Sequence, residues 1–480
     1  MITIRDLMTD PALFGDQFGG DSFKAWRALL AGFYGLELSD DELPHWQELT
    51  GRESAPEAAH DELWLAIGRR GGKTQNAALL AVYEACFNDH SDRLSPGEVA
   101  TVLCLAQDRK AARSVFRYIT GLMNANPMLQ RLIVKESAET LELANRAVIE
   151  VGTASFRATR GYTFAAVIAD EVAFWRSEDS ANPDFEILNA VRPGLASLDG
   201  PLIALSSPYA RRGALWDAHR RYYGQEGSIL VAQAQTLTMN PTLPRRIVDQ
   251  AYDRDPVAAA AEYGAQFRSD VEAFITREMV DDCTRDAPLM LPLRSGKQYV
   301  GFVDVAGGGA DEYTMAIAHI EGSRVITDAV HSQRGNPAEI TESYAKVLKQ
   351  YRISTVMGDR YAAEWPRQEY RKHGINLEPS PLNRSELYLE FLPLLQTGRV
   401  EIPPDHKAVI QFANLERRTS RAGKDSVNHP PGGHDDRANA IAGACWMAKE
   451  RINHTPPKIT VLWPGQHGGR SRQQGHPPGH

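Results

Sequence analysis

The sequence predicts an α/β protein with two domains, the first of which has a mainly parallel sheet. Its 480 residues exceed what one hydrophobic core ordinarily serves. Short, continuous apolar runs alternate with amphipathic helical patterns, and this alternation is typical of parallel sheets that helices cover on both faces. The alternation lapses after residue 237 and begins again near Tyr299. We therefore expect one sheet on each side of this break.

The composition is that of an ordinary globular protein, with 42% hydrophobic and 24% charged residues. No apolar run is long enough to span a bilayer, and the N-terminus lacks the basic start and apolar stretch of a signal peptide. The four cysteines form no CxxC pair. This pattern favours neither a zinc site nor a disulfide framework, and we expect a reducing cytoplasm. The net charge of -8 argues against a passive nucleic-acid coat but leaves room for a DNA enzyme with a local basic channel.

Changes in pattern along the chain predict five segments. Prolines open the segment between the two α/β patterns, which indicates a linker with helices. The last residues are of low complexity, which predicts disorder. The segments are a helical lead-in at 1–60, a first α/β domain at 61–237, a linker or helical hinge at 238–290, a second α/β domain at 291–452 and a tail at 453–480.

Each strand of the first domain is predicted from an apolar run that ends in a turn. The predicted strands are 63–67, 99–106, 165–170 and 201–207. The segment ETLELANRAVIEVG predicts a hairpin that turns at Asn145 and Arg146. Helical patterns follow the first two strands, so their connections are expected to cross over the sheet.

The segment GRRGGKT lies between a predicted strand and a predicted helix, as a phosphate-binding loop (P-loop) requires. Its glycines allow the backbone to approach a phosphate, its lysine would contact the β and γ phosphates of ATP, and its threonine would bind Mg²⁺. The first glycine comes one residue later than in GxxxxGK[ST], because Ile67 stands at that position. An ordinary strand-ending turn is the alternative. The predicted nucleotide-binding residues are Gly68, Arg69, Arg70, Gly71, Gly72, Lys73 and Thr74.

Two carboxylates, Asp170 and Glu171, end the third of these strands. Open α/β sheets bind ligands at the carboxyl ends of their strands. We predict that Asp170 holds Mg²⁺ through water and that Glu171 orients or deprotonates the attacking water. Ser206 and Ser207 end the next strand and are predicted to sense the γ phosphate, with an ordinary turn as the alternative.

Further polar residues are weaker candidates for the same site. Arg69, Arg70, Arg157 and Arg160 could stabilise charge on the transferring phosphoryl group. Solvated surface arginines are the alternative. Gln47 could contact the adenine base, although an ordinary polar residue of a helix is the simpler interpretation.

The second domain predicts three strands in succession, followed by alternating helices and strands, which is the order of a ribonuclease H-like domain. Asp304 is expected inside the first strand, where a carboxylate is costly without a partner or a metal. Asp359 ends a later strand, and Asp435 and Asp436 open the last helix. Such acids can bind two Mg²⁺ or Mn²⁺ ions that activate water against a phosphodiester. Asp311 is a further candidate near the metals, and capping or turn aspartates are the alternative for each acid.

These motifs resemble the large terminase subunit of tailed bacteriophages over about residues 40–450. The resemblance is carried by GRRGGKT, RATRGYTFAAVIADEVAFW, LIALSSPY, MNPTLP, AAAAEYGAQF, GFVDVAGGGADEYT, VMGDRY and GHDDRANAIA. It implies an ATPase that moves double-stranded DNA into a procapsid and a nuclease that cuts concatemeric DNA. The family often has an acid where Asn439 stands here, which leaves open which acid completes the metal site. Phosphate loops of the family commonly depart from the standard spacing.

The resemblance also implies residue roles and partners. Lys73 and Thr74 would bind ATP and magnesium, Glu171 would be the catalytic carboxylate, and Ser206 and Ser207 would couple hydrolysis to movement. The nuclease metals would be held by Asp304, Asp359 and Asp435 or Asp436. The implied partners are double-stranded DNA, the portal protein of the procapsid and the small terminase subunit. The resemblance also implies that the protein forms a homo-oligomeric ring when it is assembled on the portal, and this is compatible with a monomer in solution. The implied location is the cytoplasm of the bacterial host.

Two other functions are compatible with parts of the sequence. A helicase-like DNA translocase or repair nuclease would use the same ATP loop, but a full set of helicase motifs does not follow Pro208. An inactive prophage remnant would bind nucleotide without turnover, and the presence of Lys73, Asp170, Glu171 and Asp304 argues against it.

Overall fold

The computed structural model describes most of the chain. The described residues are 2–154, 161–175, 180, 182–305, 312–359, 364–419, 425–430 and 433–454, with the side chains of 451–454 left out. Three candidates from the sequence, Arg157, Arg160 and Asp311, lie outside the described residues, as does the predicted tail beyond His454. Within the described ranges, no helix has the length and apolar character needed to cross a membrane.

The N-terminal region is helical, and its helices pack onto the core of the first sheet. Trp26 and Trp46 are both fully buried there. The helices are α1 (Ile4–Thr9), α2 (Gly15–Phe18), α3 (Lys24–Phe33) and α4 (Leu43–Thr50), with a 3-10 turn at Asp21–Phe23. This region therefore shares one hydrophobic core with the first domain.

The first sheet has eight strands within the described part of the chain, in the order β3-β4-β5-β2-β6-β7-β1-β8. The strands are β1 (Glu62–Ile67), β2 (Ala100–Ala106), β3 (Ile133–Glu136), β4 (Thr140–Leu143), β5 (Ala147–Thr153), β6 (Phe164–Asp170), β7 (Leu202–Ser206) and β8 (Ile229–Ala234). All pairs from β5 to β8 are parallel, and β3, β4 and β5 form an antiparallel meander. The predicted hairpin and the mainly parallel sheet are confirmed, whereas the sequence did not predict the edge strands β3 and β8.

Helices cover both faces of this sheet, as its continuous apolar strands predict. Every residue of β6 and β7 is buried, so neither face of these strands meets solvent. The covering helices are α5 (Lys73–Cys86), α6 (Arg109–Ala125), α7 (Pro127–Gln130), α8 (Pro183–Leu195) and α9 (Gly213–Tyr222), with 3-10 turns at Ser91–Arg93 and Val172–Phe174. Because β1, β7 and β6 are neighbours and parallel, the three loops that leave their carboxyl ends lie side by side.

The middle segment returns to the GRRGGKT loop before it reaches the second sheet, because Thr236 and Asn240 donate to the carbonyls of Arg69 and Arg70. It holds α10 (Thr236–Met239), α11 (Arg245–Arg254), α12 (Pro256–Glu262), β9 (Val271–Ala273) and α13 (Arg277–Asp282). Asp255 caps α12 by accepting from the N–H groups of Val257 and Ala258, and Pro256 occupies the first turn. The segment predicted as a linker thus contains regular helices that contact the first domain.

The second sheet has the order β14-β13-β10-β11-β12-β15 among the described residues. Its strands are β10 (Tyr299–Asp304), β11 (Tyr313–Glu321), β12 (Arg324–Gln333), β13 (Thr355–Gly358), β14 (Asn376–Pro379) and β15 (Val400–Glu401). The first three strands are antiparallel, and the crossover strands pair in parallel. The predicted ribonuclease H-like order is confirmed.

Helices and a small second sheet complete this half of the molecule. The helices are α14 (Pro337–Gln350), α15 (Glu364–Lys372), α16 (Arg384–Gln396), α17 (His406–Ala413) and α18 (Asp436–His454). The hairpin of β16 (Glu416–Thr419) and β17 (Asp425–Asn428) pairs with β9 to form a three-stranded sheet. The sequence did not predict this hairpin, because its strands are short and polar.

Close packing sets α18 against β10. A Cβ atom on Gly443 would lie 2.4 Å from the ring of Phe302, so only glycine allows the helix this close to the strand. Asn439, one turn earlier, consequently reaches the carboxylate at the end of β10. That carboxylate, Asp304, is the last residue of β10. Asp304 is buried and pairs with Thr314 of β11, so it belongs to the first strand, as the sequence predicts, and stands at the carboxyl end of that strand.

Candidate active sites

The predicted phosphate loop connects β1 to α5. Side chains of neighbouring segments hold its carbonyl groups through hydrogen bonds. Four side chains donate hydrogen bonds to four consecutive carbonyls. The pairs are Thr236 Oγ1 to Arg69 O at 2.8 Å, Asn240 Nδ2 to Arg70 O at 2.9 Å, Trp26 Nε1 to Gly71 O at 2.9 Å and Asn76 Nδ2 to Gly72 O at 3.0 Å. In a trans peptide the N–H points opposite to the C=O, so the N–H groups that follow these carbonyls turn to the other side of the loop. This is the backbone arrangement that binds an anion.

Gly68 has a packing role that explains its place directly after β1. A Cβ atom there would lie 2.4 Å from Thr236 Oγ1 and 2.7 Å from the Tyr263 carbonyl. The start of α10 and the end of α12 therefore press against this point of the loop. The irregular first glycine reflects this close approach.

Lys73 joins the loop to the ends of the two neighbouring strands. Its side chain is only 5% exposed, and its Nζ donates to the Ile67 carbonyl at 3.0 Å and to Ser207 Oγ at 2.8 Å. The same Nζ lies 3.5 Å from Glu171 Oε1. The structure thus brings together the three motifs that the sequence placed after β1, β6 and β7.

Asp170 is buried beneath the loop, in a setting that suits a cation. Burial raises the pKa of Asp170 to about 7 and the charge of Glu171 adds to the rise, while Lys73 and a hydrogen bond from Thr74 oppose it. Its Oδ1 atom is buried and has no hydrogen-bond partner among the described residues. A divalent cation with its water ligands would satisfy this oxygen, and the Thr74 hydroxyl lies on the same carboxylate.

Glu171 occupies a strained position at the edge of the site. Its φ is +51°, in the left-handed region that costs a residue with a side chain about 1 kcal/mol. Its Oε2 accepts from Ser206 Oγ at 3.0 Å and from the Ser207 N–H at 3.1 Å. These bonds fix the carboxylate beside Lys73, where it can orient a water against a bound phosphate.

The weaker candidates of the first site have other contacts. Arg69 is 62% exposed and forms an ion pair with Glu262 at 3.2 Å. Arg70 is exposed with a φ of +67°. Gln47 donates its amide to the carbonyl of Glu53 at 2.7 Å.

The acids of the second domain converge at one end of its sheet. Asp304 ends β10, and Asp359 directly follows β13, whose Gly358 pairs in parallel with Val303. Asp435 precedes α18 and Asp436 begins it. The negative charges of both acids add to the rise in the pKa of Asp304, whose largest cause is burial.

A guanidinium that the sequence did not single out lies among these acids. Arg384 Nη1 is 2.8 Å from Asp435, and its Nη2 is 3.6 Å from Asp359 and 3.8 Å from Asp304. One sequence signal could have found it. Asn383 caps α16 in a capping box with Glu386, which places a cation in the first turn, where the helix dipole disfavours positive charge.

Asp304 and Asp435 are also held by neutral groups. Asn439 Nδ2 donates to Asp304 Oδ2 at 2.7 Å, and the hydroxyl of Tyr388 donates to Asp435 Oδ2 at 2.8 Å. Burial raises the pKa of Asp304 to about 7 against the attraction of Arg384. A buried carboxylate in this state gains strongly from a bound cation.

Asp436 faces a second group of charged residues. Its Oδ2 accepts from the N–H of Glu312 at 3.1 Å. The Glu312 carboxylate in turn accepts from Arg437 at 3.0 Å, and Arg437 also pairs with Asp405 at 2.7 Å. Asp436 is thereby linked to a group of charged residues that also includes Glu312, Arg437 and Asp405.

The donor set fits divalent metal ions, but its present arrangement does not enclose one. In the part of the chain that the structure describes, no three Asp, Glu, His or Cys side chains are grouped closely enough to hold a metal ion as they stand. The guanidinium of Arg384 lies among the three nearest carboxylates instead. Their oxygens are the ligands that Mg²⁺ and Mn²⁺ prefer.

Comparison with known proteins gives matches among solved structures alone, since no family model and no curated protein matches the chain. The chain is similar to the crystal structure of the HK97 bacteriophage large terminase, with 16% identity, 81% of this chain and 91% of that chain covered, and a TM-score of 0.36. For the large terminase of the thermophilic bacteriophage D6E, the identity is 12%, the coverage 88% and 98%, and the TM-score 0.38. For the large terminase nuclease of thermophilic phage G20c with bound magnesium, the values are 17%, 36% and 98%, and 0.31. All three are phage large terminases or a domain of one, the family that the sequence motifs resemble.

Proposed function

We propose that this protein is a phage DNA-packaging motor subunit of the large terminase family, which hydrolyses ATP to move double-stranded DNA and cuts it with a two-metal nuclease. The observation that supports the proposal is that one chain brings two separate groups of charged side chains to the carboxyl ends of strands in two sheets. Lys73 joins the P-loop to Glu171 and Ser207 in the first domain. Four aspartates converge at the end of the second sheet.

In the ATPase centre, the loop N–H groups and Lys73 would bind the β and γ phosphates. Thr74 and Asp170 would hold Mg²⁺, which neutralises charge on the phosphate oxygens when it is bound. Glu171, fixed by Ser206 and Ser207, would orient the attacking water. The same two serines, at the end of β7, would then couple the loss of the γ phosphate to a movement of that strand end.

In the nuclease centre, Asp304, Asp359 and Asp435 would bind the metal ions, with Asp436 beside them. Bound Mg²⁺ or Mn²⁺ supplies an activated water and stabilises the leaving oxygen of the phosphodiester. The chain's own part is to hold the carboxylates in place. Asn439 orients Asp304 and Tyr388 orients Asp435 through the hydrogen bonds described above.

The packaging role rests on the motif resemblance together with the order of the two centres. It implies that the protein works as a ring on the portal protein of a procapsid, receives DNA from the small terminase subunit and cuts concatemeric DNA in the host cytoplasm. A DNA translocase or repair nuclease without a packaging role would have the same two centres but would not respond to a procapsid.

Phosphate release from ATP tests the proposal, measured with and without procapsids that carry the portal. We expect hydrolysis that procapsids stimulate and that Lys73→Ala abolishes. Hydrolysis that procapsids leave unchanged would favour the translocase or repair nuclease. The absence of any hydrolysis by the intact chain would favour a remnant that binds nucleotide without turnover.

A further inference from the structure

Arg384 is the feature of the nuclease centre that the proposed function does not use. Its side chain is 32% exposed, while the side chains of Asp435, Asp304 and Asp359 are 1%, 9% and 20% exposed. One positive charge therefore faces three carboxylates in a place of restricted solvent. The carboxylates keep an excess of negative charge even with Arg384 in position.

The placement of this guanidinium depends on the acids. Arg384 opens α16, where the helix dipole works against a cation. Its guanidinium nevertheless lies 2.8 Å from Asp435, 3.6 Å from Asp359 and 3.8 Å from Asp304. The acids are thus what holds the arginine, and a stronger cation on the same acids would remove the reason for it to stay.

We propose that Arg384 is an exchangeable counter-ion: without metal it neutralises Asp435, Asp304 and Asp359, and a divalent cation displaces it from them. The proposal rests on the proposed nuclease function. Arg384 is a positioning residue in this scheme, because it acts on the carboxylates. A cation bound by these acids would lie within a few ångströms of the guanidinium, and like charges at such distances repel. The partial exposure of Arg384 gives its side chain a way out toward solvent.

Asn439 supplies a second, independent observation. Its Nδ2 donates to Asp304, but its Oδ1 is buried and has no hydrogen-bond partner among the described residues. A buried amide oxygen without a donor is costly. The guanidinium of Arg384 does not satisfy this oxygen, so the metal-free arrangement leaves one buried polar atom beside Asp304 without a donor among the described residues.

The test is Mn²⁺ binding to the full chain by calorimetry, without DNA or nucleotide. Arg384→Gln should bind Mn²⁺ about tenfold more tightly than the wild type, because no cation has to be displaced. In the presence of a chelator, the same variant should unfold at a lower temperature than the wild type. Mn²⁺ should reduce this difference in unfolding temperature. Arg371→Gln, at an exposed arginine of α15, is the matched control and should change neither measurement.

Two results separate failure of the exchange from failure of the nuclease proposal. In the first result, Asp304→Asn removes Mn²⁺ binding, but the affinity of Arg384→Gln for Mn²⁺ is equal to or weaker than that of the wild type. This result would overturn the exchange and leave the nuclease proposal standing. Mn²⁺ binding that is indifferent to Asp304→Asn would overturn the nuclease centre itself.

The wild-type chain offers a measurement that needs no variant to fold. An arginine-specific dicarbonyl reagent, with modified peptides quantified by mass spectrometry, reports how accessible each guanidinium is. Mn²⁺ should increase modification of Arg384 several-fold relative to Arg371. An unchanged ratio would contradict the displacement.

Discussion

The two candidate centres are built in different ways from the same kind of sheet. The ATPase centre takes its anion-binding groups from the backbone of one continuous loop, whose carbonyls are tied back by Trp26, Thr236 and other side chains. The nuclease centre takes its groups from side chains that four separate elements bring together. The first centre therefore has its loop groups together in sequence and needs distant side chains only to hold them, whereas the second has to assemble its groups from distant parts of the chain.

The two centres also treat charge in opposite ways. In the first centre the proposed ligand is an anion, and the cation of the site, Lys73, lies 3.5 Å from Glu171. In the second centre the fixed charges are carboxylates and the proposed ligand is a cation. The guanidinium of Arg384 lies among these carboxylates. Each proposed centre thus balances its charge with a residue that its ligand would have to contact or displace.

Removing the lysine should break the first centre and spare the second. Lys73→Ala takes away the cation that we propose to contact the phosphates, and we expect ATP hydrolysis to fall at least about a hundredfold. Release of phosphate measures this effect. Metal-dependent plasmid cutting by the same variant serves as the control and should persist. Loss of both activities would mean that the centres are not independent.

The mirror experiment removes a carboxylate from the second centre. Asp304→Asn keeps the shape but lowers the charge at the end of β10, and plasmid cutting in Mn²⁺ should fall about a hundredfold. Hydrolysis of ATP by this variant should match the wild type. Cutting that survives the substitution would refute the assignment of Asp304 to the metals.

A buried glutamate, Glu416, connects the two halves of the molecule. Glu416 is fully buried in β16 and accepts from Tyr209 at 2.7 Å and from Arg418 at 3.2 Å, with Arg212 also bound to it. Tyr209 lies two residues after Ser207. Glu416 therefore ties the strand end that contacts Glu171 to the hairpin of the second half.

Neutralising this residue should destabilise the protein. Glu416→Gln leaves two arginines without their carboxylate, at an expected cost of about 2 kcal/mol, seen as a lower midpoint of thermal unfolding. Glu401→Gln is the control, since Glu401 forms longer ion pairs with Arg285 and Arg324. Equal shifts in the two variants would show that Glu416 has no special role.

The smallest expected effect tests the tied backbone of the ATP loop. Trp26→Phe removes the indole N–H that holds the Gly71 carbonyl, and the loss of one hydrogen bond of about 1 kcal/mol should weaken ATP binding about fivefold. Trp46→Phe is matched, because its indole donates to the Ser54 carbonyl, away from the loop. Titration with a fluorescent ATP analogue measures both, and equal affinities would contradict the role of Trp26.

The sequence was informative where the chemistry is local. The glycines, lysine and threonine of the loop and the acids after β6 are consecutive in sequence, so their pattern could be read directly. Strand β8 was missed because its neighbours in sequence carry no motif, and the hairpin of β16 and β17 was missed because its strands lack an apolar run. The segment boundaries and the role of each site residue stay predictions.

By itself the sequence determined the two α/β halves, the P-loop and the set of acids, because alternating apolar runs and adjacent motif residues are properties of short stretches of chain. Tertiary structure alone decided that Trp26, Thr236 and Asn240 hold the loop and that Arg384 lies among the aspartates. These contacts join residues that are far apart along the chain. No local pattern encodes them, since only the packing of helices and strands sets those distances.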